Sequence, residues 1–313
     1  MSAGQNGINA TAPTRWDLRQ IVAELRAARG RSHEERRRNG VIIEMPSREA
    51  LREIIDGLFA ALFPTHFGLA DFTEEGVDYF VGHKLDATLR TLLHQVEREL
   101  QFSSSASDSV RARLAFEITH EFAVRLPQVR AFLESDILAA YQGDPAARSV
   151  EEVRFCYPGI KGITHHRLAH ELYLLELPLL ARIIAELAHS ATGIDIHPGA
   201  DIDASFFIDH GTGVVIGETA KVGKRVRLYQ AVTLGAKRFP LGENGALVKG
   251  NARHPIVEDD VVIYAGATIL GRVTIGHGST IGGNVWLTRD VPPNSNVTQA
   301  RARDEAFDEG GGI

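Results

Sequence analysis

The sequence predicts an α-helical domain followed by a parallel β-helix built from hexapeptide repeats. Three observations predict it. Up to about residue 190, apolar residues recur at helical spacing. From Gly193 onward they recur every six residues. The 30 glycines among 313 residues are spread unevenly, and Gly271, Gly276 and Gly282 each fall within two places of a repeat position.

Taken in order, residues 1–14 are polar and rich in Gly, Ala and Asn, and read as a disordered N-terminus. The helical domain is placed at 15–191. Leu18, Ile21, Val22 and Leu25 give a first helix, whose charged half, Arg26–Arg38, reads as a solvated end. Ser47, just after Pro46, caps a helix running to about Phe63. Further helices are expected over Glu75–Leu100, Ser107–Leu126 and Val129–Tyr141. Asp144-Pro145 is read as opening another, and a last one covers about Thr164–Ser190, bent at Pro178.

The β-helix is placed at 192–295. Ile216, Val222, Leu228 and Leu234 keep one six-residue step, and Val257, Ile263, Ile269, Ile275, Ile281 and Leu287 another. A second apolar or small residue sits two places before most of them, as at Val214, Ala220, Val226, Val232, Val261, Ala267, Val273 and Val285. Three hexapeptides make one triangular coil, and each coil buries its aliphatics against its neighbours. Leu234 and Val257 are 23 residues apart, so 236–252 is read as an extruded loop, of a length that loops in compact domains reach mainly for function. Residues 296–313 are read as a flexible acidic tail, ending in three glycines and Ile313.

Composition excludes several classes. The net charge of −6 with no long basic run argues against a nucleic-acid partner. One cysteine, Cys156, leaves no disulfide pair and no CxxC metal site, and is expected to be a small buried hydrophobe. No apolar run reaches about 18 residues, so no membrane helix is expected. Residues 1–14 lack the apolar stretch of a secretory signal, and the expected location is cytoplasmic.

The segments Asp195-Ile196-His197-Pro198, Ile208-Asp209-His210-Gly211-Thr212-Gly213, Ile216-Gly217-Glu218-Thr219, Val232-Thr233-Leu234-Gly235 and Arg253-His254-Pro255 resemble serine O-acetyltransferases. Asp144-Pro145-Ala146 and Arg167-Leu168-Ala169-His170 extend the resemblance, which covers about residues 140–292. Two features depart from it: the loop before Arg253 is long, and Gln299–Arg303 replaces the usual segment after the last coil. The resemblance implies a left-handed β-helix, trimeric or paired as a dimer of trimers. It implies acetyl transfer from acetyl-CoA to the hydroxyl of L-serine, giving O-acetyl-L-serine and CoA, a step of cysteine biosynthesis.

A serine hydroxyl needs a base as it attacks a thioester, and an imidazole with an ordinary pKa of about 6.5 suits that task. By motif match His210 is the base and Asp195 its orienting carboxylate. The two are 15 residues apart in a coil of about 18, which allows contact through the stack. No nucleophile stands at the matched site, so direct attack is expected. Arg253 matches the residue that holds the serine carboxylate. Asp144 and Asp209 match those that meet its ammonium, and His254 a second histidine at the substrate. Gly235, Ala265 and Gly283 are the expected coenzyme contacts, where small residues let a ligand approach the backbone. His197 and Glu218 read equally well as structural turn residues or as bracing for the site, and His165, His166 and His170 as packing of the last helix.

The resemblance also implies inhibition by L-cysteine and docking of the tail, through Ile313, into O-acetylserine sulfhydrylase. No metal is expected. Two other chemistries compete: acyl transfer to another hydroxyl or amino acceptor such as a sugar, and a zinc site built on His210, His254 or His277. A purely scaffolding role, with the tail as the working part, is a third.

Overall fold

The computed structural model describes residues 18–34, 37–38, 41–42, 44–67, 73–238, 242 and 245–299. They fall into two compact units, 1–45 and 46–313. In the first, α1 (Leu18–Glu34) is followed by a short antiparallel pair, β1 (Arg37–Arg38) with β2 (Val41–Ile42). The expected helix thus stops four residues short of Arg38.

The second unit opens with seven helices: α2 (Arg48–Leu62), α3 (Pro64–Phe67), α4 (Glu74–Ser103), α5 (Asp108–Gly143), α6 (Val150–Cys156), α7 (Pro158–Leu174) and α8 (Pro178–Thr192). Ser47 caps α2 by accepting from the Ala50 N–H at 3.2 Å, as its position predicted. Three expectations fail. The helices assigned to 107–126 and 129–141 are one, α5, because Pro127 is carried through by the buried Leu126 and Val129 beside it. Asp144 does not open a helix. It ends α5 and accepts the Ala146 N–H in a tight turn, and α6 starts only at Val150. The last helix is two, α7 and α8, broken before Pro178. The first-turn amides of α8, which have no partner within the helix, are satisfied by the buried Glu99, whose two oxygens accept the N–H groups of Leu179 and Leu180 at 2.9 and 2.8 Å. Cys156 is exposed rather than buried, since the short α6 buries only Val153.

Fourteen short strands complete the unit as a left-handed parallel β-helix with three faces. Face 1 stacks β3 (Asp195–Ile196), β6 (Val215–Ile216), β9 (Thr233–Gly235), β12 (Thr268–Leu270) and β15 (Trp286–Leu287). Face 2 stacks β4 (Asp201–Ile202), β7 (Lys221–Val222), β10 (Ile256–Val257) and β13 (Thr274–Ile275). Face 3 stacks β5 (Phe207–Ile208), β8 (Arg227–Leu228), β11 (Val262–Ile263), β14 (Thr280–Ile281) and β16 (Asn296–Val297). Every six-residue aliphatic named from the sequence is buried in the prism, with the preceding small residues buried at its edges. The stack resumes in register after the loop, as Ile256 pairs with Lys221.

The helices and the prism share one apolar core. A buried ion pair locks them together. Arg167 on α7 donates twice to Asp136 on α5, at 2.7 and 2.9 Å, and also to the carbonyls of Ile202 and Asp203 in the first coil. Asp136 accepts the Phe206 N–H of that same coil. Among the described residues no helix is long and apolar enough to cross a membrane.

Candidate active site

The site residues named from the sequence lie along two different edges of the prism. The edge between faces 3 and 1 carries Asp209 and His210. It is built unlike the rest of the stack. β5 and β6 start eight residues apart, where β8–β9, β11–β12 and β14–β15 keep a step of six. The two extra residues swell this corner, and His210, Gly211 and Gly213 all take positive φ there, at 58°, 85° and 79°. His210 is thereby pushed outward, with its side chain 70% exposed, while Asp209 beside it is 14% exposed. Their Nδ1 and Oδ1 atoms are 3.8 Å apart.

The helices bring Asp144 to this edge. Gly159, in the first turn of α7, packs so tightly on the end of β5 that an added Cβ would sit 2.1 Å from the Ile208 carbonyl oxygen. At Gly143, the last residue of α5, an added Cβ would sit 2.3 Å from Arg227 Nη2 and 2.9 Å from Phe207 Cδ1. Asp144 follows it, with one carboxylate oxygen accepting the Ala146 N–H at 2.8 Å and the other accepting the Tyr157 hydroxyl. The Tyr157 hydrogen bond, then that of Ala146, holds the Asp144 carboxyl below the usual carboxylate range, and His210 and Arg227 act in the same direction. Burial and the same bond push the Tyr157 hydroxyl up, so it stays a donor.

Among the described residues no hydrogen bond or ion pair joins Asp195 to His210. Asp195 starts β3 on face 1, pairs in register with Val215, and its charge acts on His197. The structure pairs His210 with Asp209 instead.

The edge between faces 1 and 2 carries Arg253 and His254, where the loop rejoins the stack. Glu218 Oε2 accepts from Arg253 Nη2 at 2.6 Å, and Glu218 Oε1 from the Tyr173 hydroxyl at 3.2 Å. The His254 ring is buried against Gly217, where an added Cβ would lie 2.0 Å from Cδ2 and 2.1 Å from Nε2. Its Nδ1 meets the Thr219 backbone N–H at 3.0 Å and the Thr219 hydroxyl at 2.9 Å. A backbone amide only donates, so Nδ1 is the acceptor and the proton of neutral His254 sits on Nε2. Burial, then the charge of Arg253, lowers its pKa and keeps it neutral.

His197 is neutral here too. Its Nδ1 accepts the Gly199 N–H at 2.9 Å, its ring meets Tyr173 edge-on, and burial lowers its pKa to about 4. His165 and His166 pack in the core, as expected. Sequence reasoning missed Tyr157, an aromatic between two helices that belongs to no motif.

Of the expected coenzyme contacts, Ala265 and Gly283 stack in successive coils on the His210 edge, where a Cβ on Gly283 would lie 3.2 Å from the Ala265 carbonyl oxygen. Gly235 ends β9 on the His254 edge. His277 stands on the remaining edge beside Glu258, so His210, His254 and His277 occupy three different edges of one chain. Ile313 lies outside the described residues.

Residues 254–289 match the bacterial transferase hexapeptide family of six repeats. The chain is 57% identical over 304 residues, 95% of each protein, to the plasmid serine acetyltransferase of Synechococcus elongatus. Its fold is similar to serine acetyltransferase 1 of Entamoeba histolytica, solved with L-cysteine, at 35% identity and a TM-score of 0.68 over 82% of this chain and 88% of that one. It is also similar to a serine acetyltransferase solved with CoA, at 26% identity and a TM-score of 0.51 over 81% and 98%. With near-complete coverage at more than half identity, and a fold shared from the helices through the prism, the chain belongs to the serine acetyltransferase family.

Proposed function

We propose that this chain transfers the acetyl group of acetyl-CoA to the L-serine hydroxyl by direct attack, with His210 as the base. The swollen corner carries this reading: it presents an exposed imidazole beside the Asp209 carboxylate, on the edge to which the end of α5 brings Asp144 and which is otherwise closed by tight turns. His210 takes the hydroxyl proton as the serine oxygen attacks the thioester carbonyl carbon. The tetrahedral intermediate then collapses, the carbon–sulfur bond breaks, and the imidazolium returns its proton to the CoA thiolate. Asp209 steadies the imidazolium, while Asp144 and Asp209 hold the substrate ammonium. Asp195, at the start of the first strand of face 1, is the second carboxylate proposed to orient the His210 ring, by its motif match.

Arg253 and His254 belong to the same site in this reading. Arg253 holds the substrate carboxylate. His254, fixed as an Nε2–H donor, offers a hydrogen bond and not a base. Since these two sit on a different edge from His210, the complete site joins the His210 edge of one chain to the His254 edge of its neighbour in a homotrimer. Acetyl-CoA then lies in the groove between them, over Ala265 and Gly283 of one chain and Gly235 of the next. L-Cysteine, which shares the ammonium and carboxylate of serine, competes for the same groups. Docking of the tail on O-acetylserine sulfhydrylase rests on sequence alone, and a decapeptide covering 304–313, with and without Ile313, tests it.

CoA release measured against a panel of acceptors tests the main reading. Release with L-serine, suppressed by L-cysteine, supports it. Release only with a sugar or amino-sugar favours the other acyl-transfer reading.

A further inference from the structure

We propose that Tyr157 is a positioning residue for the reaction, acting through Asp144 to set the orientation of the carboxylate that receives the substrate ammonium. The proposal rests on the acetyl-transfer reading above and extends it to a residue outside every motif in the sequence.

The backbone around Tyr157 is fixed from both sides. Its N–H ends α6 by donating to the Val153 carbonyl at 3.2 Å, and its own carbonyl accepts the Ile160 and Lys161 amides that begin α7. Pro158 starts α7, and Gly159 presses that first turn onto the Ile208 carbonyl, one residue before Asp209. The tyrosine ring therefore leaves a rigid junction anchored directly to the strand that feeds the His210 corner. Its hydroxyl takes one oxygen of Asp144, and the Ala146 N–H takes the other.

A carboxylate at the end of a helix has a free χ2 rotation unless both oxygens are held. Here they are, by donors from two separate segments, so the accepting lone pairs left over point in fixed directions. The charged groups acting on this cluster are His210 and Arg227 on the prism side, with Glu152 and Asp209 felt by the tyrosine. A hydrogen bond to a charged group also favours the charge: the Tyr157 donor holds the Asp144 carboxyl below the ordinary carboxylate range. Tyr157 touches no reacting atom in this arrangement. Its influence passes through Asp144 to the serine ammonium, which is a ground-state as well as a transition-state contact.

The test is a set of variants assayed by CoA release. Tyr157→Phe keeps the ring and removes the donor. The serine KM is expected to rise about tenfold, with the acetyl-CoA KM and kcat within about twofold of the parent. In an Asp144→Ala background, Tyr157→Phe should change the serine KM by less than about twofold, because the group it acts through is gone. p-Aminophenylalanine at 157 restores a donor, and the serine KM should return to within about twofold of the parent; this variant also serves if Tyr157→Phe fails to fold. An unchanged serine KM in Tyr157→Phe overturns the proposal. So do equal rises in both KM values, multiplying effects in the double variant, or a p-aminophenylalanine variant as impaired as Tyr157→Phe. A parent chain with no serine-dependent release overturns the underlying reading instead, so the two failures are distinct.

Discussion

The two edges that carry the site are built to opposite specifications. At the edge between faces 3 and 1, His210 stands on inserted residues with left-handed backbone, exposed over 70% of its side chain and with one carboxylate at 3.8 Å. At the edge between faces 1 and 2, His254 is buried, pressed on Gly217 and fixed at Nδ1 by Thr219, with Arg253 held by Glu218. The difference separates two tasks for one side-chain type. A base must reach a proton and carry a new charge for a moment, which favours access to water. A donor must keep one tautomer, which favours burial and a fixed partner.

The largest effect should come from His210→Ala. A loss of about 100- to 10,000-fold in kcat is expected, with circular dichroism and Tm unchanged, because an exposed residue contributes little packing. If His254→Ala matched that loss at unchanged Tm, the contrast between the edges would break. It should instead lower stability by about 1–3 kcal/mol as well, since the Thr219 N–H loses its acceptor.

Asp136→Asn tests what both edges share. It leaves Arg167 buried without its charge partner, and a loss of about 3–5 kcal/mol in chemical denaturation is expected. The two tight glycines then separate the edges again. Gly217→Ala should displace the His254 ring and lower kcat/KM by about 10- to 100-fold with a modest change in Tm. Gly159→Ala meets a backbone oxygen rather than a ring, so a stability loss of about 1–3 kcal/mol should accompany its effect on activity.

The smallest effect is a pH dependence on the His254 edge. His197 titrates in the folded chain at about 4, below its ordinary 6.5, because burial disfavours its charged form. Its contribution to stability is therefore present above pH 6.5 and is lost as pH falls from 6.5 toward 4. Tm followed from pH 7 to 4 should fall less steeply in His197→Gln than in the parent.

Much of this was legible in the sequence. The six-residue step placed the inward aliphatics from Ile216 to Leu287, because most strands bury one residue per hexapeptide; Ile196, Ile202 and Ile208 of the first coil, where β5 buries both its residues, fell outside that step. The motif residues were legible by resemblance, but their division between edges was not, since order along the chain does not state which side of a triangle a residue occupies. A count would have shown part of it: Ile208 to Ile216 is eight residues, and the two extra ones are the corner that lifts His210. The helix errors have local causes. Pro127 and Pro178 look alike in sequence, yet buried neighbours carry α5 through the first while the chain breaks before the second. Tyr157 left no signal, because its role depends on a carboxylate thirteen residues away that a turn brings back to it.

The excursion between β9 and β10 bears on how the prism forms. Neighbouring strands on face 2 are 20 residues apart from Asp201 to Lys221 and 18 from Ile256 to Thr274, but 35 from Lys221 to Ile256. Zippering coil on coil is local on either side of that gap and must close a longer segment to cross it, so docking of the upper coils on the lower is the natural late step of folding. Closing a segment twice as long adds only about 0.6 kcal/mol of entropy. A flexible insert after Gly245 should accordingly slow refolding more than it lowers stability.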